Sequence, residues 1–212
     1  MPAFDTLAAF LAVSILITLA PGPDNLMVLG QSLARGRAAG FGIAVGCALG
    51  CFTHTLWAAL GVSAALASSP TVFAGLKLAG AGYLCWIGVQ TLLNARVAQV
   101  VRNGDGTSTP WTSQVRRGFI ANAINPKVAL FFLAFLPQFV RAEDGGATIQ
   151  MIALGAVFAL QTIFVFGAIA FAAGALGSAL ARHGRASIWL ERMAGTLFIA
   201  LAARLALDDH TL

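Results

Sequence analysis

Residues 6–32 read TLAAFLAVSILITLAPGPDNLMVLGQS, an apolar run that is interrupted near its centre by two prolines around a glycine. The run is long enough to cross a bilayer, which takes roughly 20 apolar residues in a helix. Proline removes a backbone donor and clashes with the preceding turn, so Pro21 and Pro23 should break this helix around Gly22. A break at membrane depth survives only where protein or a wet cavity surrounds the freed carbonyls. The stretch therefore predicts a broken membrane-spanning helix whose break faces the protein interior.

The rest of the chain has the composition of an all-α membrane protein. Of its 212 residues, 58% are hydrophobic and 10% are charged, whereas an ordinary soluble domain has about 25% charged residues. The apolar runs predict six transmembrane helices, at about residues 6–32, 41–67, 71–93, 118–140, 148–180 and 187–207. The fifth run is too long for one upright helix, which predicts either a tilt or an interfacial turn near residues 174–177.

Loop charges predict the orientation. The ends after spans one, three and five hold Arg35, Arg37, Arg96, Arg102, Arg116, Arg117, Arg182, Arg185 and Arg192. The opposite ends hold only Arg141 and Arg204. Lys and Arg near the membrane are enriched on the cytoplasmic side. We therefore expect both termini on the periplasmic side of a bacterial inner (plasma) membrane.

A short internal repeat predicts a three-plus-three design. KLAG at 77–80 resembles RMAG at 192–195, and the first helix of each half has a proline followed by a charge, at Pro23–Asp24 and Pro126–Lys127. Halves with an odd number of spans are oppositely oriented, which is the inverted-repeat plan of many secondary transporters. Chance matches in an Ala/Gly/Leu-rich chain are the alternative. The single transmembrane domain, 1–212, then divides into a first half, a cytoplasmic loop and a second half, at residues 1–93, 94–117 and 118–212.

Two charged side chains stand beside the predicted helix breaks. Asp24 follows the first break, and Lys127 follows the second, at Asn122 and Asn125–Pro126. The breaks lie roughly 14–18 Å along a helix from loop arginines, near the middle of a core about 30 Å thick. A charge there costs on the order of 2.5–3.5 kcal/mol, so these two should pair or face water. We expect Asp24 to bind an ammonium group or a proton and Lys127 a carboxylate; a structural ion pair between them is the alternative.

The sequence contains no recognisable catalytic or metal-binding motif. Cys47, Cys51 and Cys85 lie in apolar runs without the CxxC spacing of a metal site. There is no phosphate-binding loop that would indicate nucleotide-driven pumping. We therefore expect no enzyme activity, no cofactor, no metal and no nucleic-acid partner, and an ion or solute gradient as the energy source.

Three further features have a structural interpretation beside a functional one. His54 is favoured as a packing histidine, with a proton relay as the alternative. Gln161 is an amide in an apolar span, which either lines a path or bonds a neighbour. Gly42, Gly46 and Gly50 recur every four residues and predict close helix contact. Such a contact could join spans of one chain or of two chains, so the sequence also allows a homo-oligomer.

Short motifs recur along four of the predicted spans. They are Pro21–Asn25 with Gly30 and Gly36; Gly46, Gly50, His54 and Gly61; Leu76–Lys77, Gly80, Tyr83–Leu84 and Gly88; and Gly118–Phe119, Asn122, Asn125–Lys127, Phe131–Phe132 and Leu136–Phe139. Together they resemble the lysine-exporter superfamily, in its homoserine/threonine-efflux branch, over nearly the whole chain. The resemblance implies a bacterial inner-membrane exporter of amino acids or related metabolites, driven by proton antiport.

The resemblance also implies a set of substrate- or ion-binding residues. Carried over position by position, they are Pro21, Gly22, Pro23, Asp24, Asn25, Lys77, Asn122, Asn125, Pro126 and Lys127. Lys77 enters through the resemblance, because its position near a helix end would otherwise favour snorkelling to the interface. The expected partners are an amino acid, protons and the lipid bilayer. The alternatives are an exporter of another small solute, such as an inorganic ion or a toxic metabolite, and a membrane enzyme or scaffold.

Overall fold

The computed structural model describes residues 3–68, 70–93, 109–141, 146–182 and 184–207. Within these ranges every regular element is a helix, which confirms the all-helical prediction. Most of the predicted loop, residues 94–108, and the acidic residues at 143–144 and 208–209 lie outside the described residues.

Eight α-helices and two short irregular turns follow one another along the described chain. They are α1 Phe4–Leu19, α2 Pro23–Arg35, α3 Arg37–Ser68, α4 Pro70–Leu93, α5 Trp111–Ala123, α6 Pro126–Leu130, a π-helical turn Phe131–Phe135, a 3₁₀ turn Leu136–Phe139, α7 Ala147–Arg182 and α8 Gly184–Leu207.

Both predicted helix breaks are present. The axes of α1 and α2 differ by 60°, and those of α5 and the segment Pro126–Phe139 differ by 52°. At each break a proline opens the next helix, Pro23 in α2 and Pro126 in α6. A proline fits this position because the first backbone N–H groups of a helix have no intrahelical partner to lose. The same residue type thus stops one helix and starts the next.

The described residues contain two helical segments that are long and apolar enough to cross a membrane, Arg37–Gly61 and Ala147–Ala173. Counting each bent pair as one span raises the number to four. These helices indicate a multi-pass membrane protein. The count of six spans also needs α4 and α8 to cross, and it stays a prediction together with the inverted repeat.

The fourth helical segment begins earlier than predicted. The sequence placed a loop up to residue 117, but α5 begins at Trp111. Its first turns carry polar residues, and a prediction from hydropathy alone assigns such residues to a loop. Gln114 is nevertheless only 1% exposed, and its Cβ would lie 3.0 Å from a Cβ placed on Gly42. Close packing on α3 explains the longer helix.

The interfacial turn predicted near residues 174–177 is wrong. Helix α7 runs without interruption from Ala147 to Arg182. The glycines in this stretch are surrounded by alanine and leucine, which are strong helix formers, and no proline is present. The whole length of the fifth predicted span is therefore one helix.

Helix α3 lies at the centre of the fold and packs on α2, α5 and α7, whereas α4 packs mainly on α8. The predicted glycine stripe faces α5 within the same chain. A Cβ on Gly46 would lie 2.9 Å from the Cα of Gly118. A Cβ on Gly50 would lie 2.8 Å from the Cβ of Asn122. These glycines allow the two backbones to approach closely, as predicted.

Two groups of buried apolar side chains lie on either side of the helix breaks. The first, named here the aromatic cluster, consists of Phe10, Phe131, Phe132, Phe135, Phe139 and Phe158. The second, named here the α2–α7 cluster, consists of Val28, Ile43, Ala44, Cys47, Phe166 and Ala170. The inner side of each break, at Asp24 and Asn122, is therefore buried in protein, whereas Pro23 and Pro126 are exposed.

Candidate functional site

Asp24 is the second residue of α2 and is 4% exposed. Its Oδ2 accepts a hydrogen bond of 2.8 Å from Nδ2 of Asn122, which lies 98 residues away in the chain. Its Oδ1 is buried and has no hydrogen-bond partner among the described residues, and the same holds for Oδ1 of Asn122. A buried acceptor without a donor is costly, so this pair of oxygens is suited to a ligand that brings donors or positive charge.

Lys127 is the second residue of α6, the position that Asp24 occupies in α2. Its Nζ donates a hydrogen bond of 2.8 Å to the carbonyl oxygen of Ala20, at the end of α1. The same Nζ lies 5.4 Å from the ring centroid of Phe198, a distance that allows a cation–π contact. The ammonium therefore satisfies a carbonyl that the first break sets free.

Asp24 and Lys127 do not form the ion pair that the sequence left open as an alternative. The structure describes both side chains, and no nitrogen–oxygen distance of 4.0 Å or less joins them. Each is instead bonded to a neutral group of the other half, Asn122 and the Ala20 carbonyl respectively. The two opposite charges face one interior space without neutralising each other by direct contact.

The remaining polar side chains at the breaks form hydrogen bonds with the backbone. Nδ2 of Asn25 donates to the carbonyl oxygen of Thr18 at 2.7 Å. Nε2 of His54 lies 2.8 Å from the carbonyl oxygen of Asn122, and because a carbonyl only accepts, this nitrogen carries the proton. Oδ1 of Asn125 accepts the backbone N–H of Lys127 and caps α6. His54 thus has the structural bond that its packing interpretation predicted.

A small cavity of about 20 Å³ lies between the two breaks. It is lined by Ile17, Thr18, Gly22, Asp24, Asn25, Asn122, Asn125, Lys127, Val128, Phe158, Thr162 and Phe166. This volume has room for about one water molecule and is far below the roughly 300 Å³ of a small-molecule pocket. The walls must therefore move apart before an organic solute can enter.

The structure brings together six of the ten predicted residues at this cavity: Gly22, Asp24, Asn25, Asn122, Asn125 and Lys127. Pro21 and Pro23 line a neighbouring groove with Glu191. Pro126 is exposed and starts α6. Lys77 is half-buried on α4 and is not among the residues that line the cavity.

Opposite the breaks, sequence reasoning singled out Gln161 but missed the two threonines that it contacts. Thr18 and Thr162 both line the cavity, and both accept hydrogen bonds from Nε2 of Gln161, at 2.8 and 3.1 Å. Oε1 of Gln161 is a further buried acceptor without a partner among the described residues. The pair Gln161–Thr162 in an otherwise apolar span was a sequence signal for this polar group. Its contact with Thr18 could not be predicted, because Thr18 lies on a different helix.

The chain is similar over most of its length to known membrane proteins. The sequence profile of the LysE type translocator family matches residues 15–209. The chain is 32% identical to the leucine efflux protein of Salmonella typhimurium, over 93% of this chain and 92% of that protein. It is 31% identical to an uncharacterized membrane protein of Pseudomonas aeruginosa, over 91% and 90% of the two chains. No solved structure matches.

Proposed function

The chain belongs to the LysE type translocator family, and we propose that it exports amino acids or close derivatives from the cytoplasm through the cavity at the two helix breaks. It is a membrane transport protein and not a member of a catalytic family. One observation carries the proposal: the same cavity is lined by an ammonium group and by a buried carboxylate oxygen that has no hydrogen-bond partner in the described part of the chain. A zwitterionic amino acid carries the complementary pair of charges.

The substrate would bind through both of its charged groups. Oδ1 of Asp24 and Oδ1 of Asn122 would accept hydrogen bonds from the α-ammonium, which supplies donors that the described residues do not offer to either oxygen. Nζ of Lys127 would donate to the α-carboxylate in place of the Ala20 carbonyl. Bonds between ionised partners are roughly twice as strong as those between neutral ones, which repays part of the cost of burying both charges.

The rest of the cavity wall favours an apolar side chain on the substrate. Ile17, Val128, Phe158 and Phe166 line it together with the polar groups. Asp24 and Lys127 are the charged residues among its described lining, and both are assigned to the substrate backbone. An aliphatic side chain fits such a wall, and the relatives named leucine efflux protein support the same class.

The partly unsatisfied carboxylate of Asp24 supports exchange of the substrate against a proton. When the substrate ammonium leaves, the carboxylate keeps one buried oxygen to which none of the described residues donates. An unpartnered charge is costly at membrane depth, so protonation of Asp24 would replace the lost cation. Proton and substrate would then occupy the carboxylate alternately, which is the basis of antiport.

Several contacts support six spans, an inverted repeat in one transmembrane domain and periplasmic termini in a bacterial inner membrane. The second helices of the two halves, α3 and α7, pack together, and so do the third helices, α4 and α8. Asp5 and Arg141, both predicted periplasmic, form an ion pair at 3.6 Å. Arg35 donates to Oγ1 of Thr109 at 2.8 Å, and both residues lie at ends predicted to be cytoplasmic.

Efflux from cells preloaded with a mixture of free amino acids tests the proposal. Wild type should release one or a few aliphatic amino acids faster than cells with an empty vector. Asp24→Asn at matched abundance should reduce the rate of efflux by roughly tenfold or more, because an amide carries no negative charge and does not take up a proton. Asp5→Asn is the matched control; Asp5 is exposed, so efflux should stay within about twofold of wild type.

Two results would contradict the proposal in different ways. If no amino acid leaves faster while wild type is folded in the membrane, the amino-acid assignment fails. If Asp24→Asn exports like wild type, Asp24 has no part in the cycle, and the substrate ammonium must bind elsewhere.

A further inference from the structure

Helices α2 and α7 lie side by side along one line of residues that leads away from the cavity. On α2, Asp24, Val28 and Ser32 follow one another at four-residue spacing, which places them on one helix face. Asp24 lines the cavity, and Ser32 lines a second pocket of about 420 Å³ beside the turn between α2 and α3. Val28 lies between them and is fully buried.

Helix α7 repeats this order on the opposite wall. Thr162, Phe166 and Ala170 also follow one another at four-residue spacing. Thr162 and Phe166 line the cavity, and Ala170 lines the second pocket. Phe166 is 3% exposed and belongs to the α2–α7 cluster together with Val28. The cavity and the second pocket are therefore separated by about two turns on α2, from Asp24 to Ser32, or roughly 12 Å of axial rise. On α7 they are separated by about one turn, from Phe166 to Ala170, or roughly 6 Å.

The barrier on the other side of the cavity is much thicker. Phe158, one turn from Thr162 in the opposite direction, lies 4.9 Å from Phe132 and 5.3 Å from Phe131 between ring centroids. Behind these rings, Phe10 lies 5.2 Å from Phe139. Along α7 the cavity is thus bounded by a thin barrier towards the α2–α3 turn and by several layers of aromatic rings in the opposite direction. Gly22 also borders the groove that Pro21 and Pro23 line.

We propose that the seam between α2 and α7 is the cytoplasmic access path to the cavity, that Val28 and Phe166 are its gate, and that the 420 Å³ pocket is its entrance. The entrance is bordered by Arg37, whose guanidinium lies 5.9 Å from the ring centroid of Phe171. A cationic rim attracts the carboxylate of an arriving amino acid. The cytoplasmic direction and the cargo rest on the proposed function, whereas the path itself rests on the packing of α2 against α7.

The gate is selective by size and polarity. A solute that passes between Val28 and Phe166 crosses an apolar constriction after it leaves the polar entrance, and it reaches polar groups again at Asp24 and Thr162. Val28 is β-branched and stiff, so the Phe166 ring is the part that swings aside. The gate therefore acts before the binding site and favours solutes that carry little charge on the side chain.

Thiol labelling tests the path without reference to any substrate. In a Cys85→Ser background, Thr162→Cys places a thiol in the cavity between Phe158 and Phe166. A membrane-impermeant methanethiosulfonate reagent should label it slowly in inside-out vesicles. Adding Phe166→Ala should raise that rate about tenfold, because a lost ring leaves a cavity in the thin barrier. Phe158→Ala is the matched control, because it removes a phenyl ring one turn from Thr162 in the opposite direction. Labelling from either face should then change by less than about twofold.

Controls separate the gate from a general loosening of the fold. The same variants without Thr162→Cys report any labelling of the buried Cys47 and Cys51. Val28→Ala, which truncates the facing wall, should open the same face if Phe166→Ala does not fold. The proposal is overturned if the gate variants leave labelling unchanged or open the opposite face, or if Phe158→Ala exposes the thiol equally. If labelling follows expectation while no amino acid is exported, the path stands and the proposed cargo fails.

Discussion

The two helix breaks have the same local sequence pattern, but the helices that follow them differ in length and regularity. Each places a proline at the start of the new helix and an ionisable residue second, Asp24 in α2 and Lys127 in α6. The helix after the first break continues for 13 residues. The helix after the second continues for five and passes into a π-helical turn at Phe131–Phe135.

This difference assigns unequal roles to the two charges. The carboxylate is mounted on a regular helix, and its bond to Asn122 fixes its direction. The lysine is mounted on a short helix followed by a π turn, a feature that is frequent at functional sites. Under the proposed function, Asp24 would keep its position in the site, and Lys127 would be the residue that changes partners.

The largest effect at the second break is expected for Lys127→Met. It leaves the Ala20 carbonyl without its donor and the substrate carboxylate without its cation. Hydrogen bonds to charged groups contribute about 1.5–3 kcal/mol, which predicts a loss of efflux of roughly ten- to hundredfold. Lys77→Met is the comparison, since Lys77 does not line the cavity, and its effect should be clearly smaller. An equal loss in both variants, at matched abundance, would show that the cavity does not define the site.

A medium effect is expected for Gly50→Ala, which disturbs Asn122 through α3. The new Cβ would lie 2.7 Å from Oδ1 and 2.8 Å from Cβ of Asn122, so this side chain must move, which disturbs its bond to Asp24. Overpacking costs about 1–3 kcal/mol, which predicts a fall in efflux of roughly fivefold or more and a lower midpoint of thermal unfolding. Gly61→Ala adds the same methyl group to α3 with no atom within 4 Å and should do neither. Unchanged efflux in Gly50→Ala would mean that the Asn122 geometry is unimportant.

The smallest effect is expected for the asparagines that secure the two breaks. Asn25→Ala removes the donor to the Thr18 carbonyl, and Asn125→Ala removes the cap of α6. Each should cost about 0.5–2 kcal/mol of stability, seen as a lower midpoint of thermal unfolding in detergent. The substrate concentration for half-maximal efflux should stay near that of wild type. A large rise in that concentration for either variant would place its amide on the substrate.

The sequence predicted features that depend on neighbouring residues. Pro21, Pro23 and Pro126 located both breaks, because proline acts on its own helix. The bonds from Asn122 to Asp24 and from Lys127 to the Ala20 carbonyl join residues 98 and 107 positions apart, and no local pattern encodes such a pairing.

The errors in element bounds have the same origin. Polar residues such as Gln114 were taken for loop, although packing on the α3 glycines keeps them helical. Glycines near residue 174 were taken for a turn, although their neighbours favour helix. The placement of Lys77 in the site came from family resemblance, and it stays a prediction.

The bond between Asp24 and Asn122 has a consequence for the synthesis of the protein. Its two partners leave the ribosome 98 residues apart, which at a synthesis rate of about 5–20 residues per second is a delay of about 5–20 seconds. Throughout that interval the nascent first half has a broken helix and a carboxylate whose permanent partner does not yet exist. The bonds that hold the first break, from Asn122 to Asp24 and from Lys127 to the Ala20 carbonyl, can therefore form only after α5 and α6 have been made.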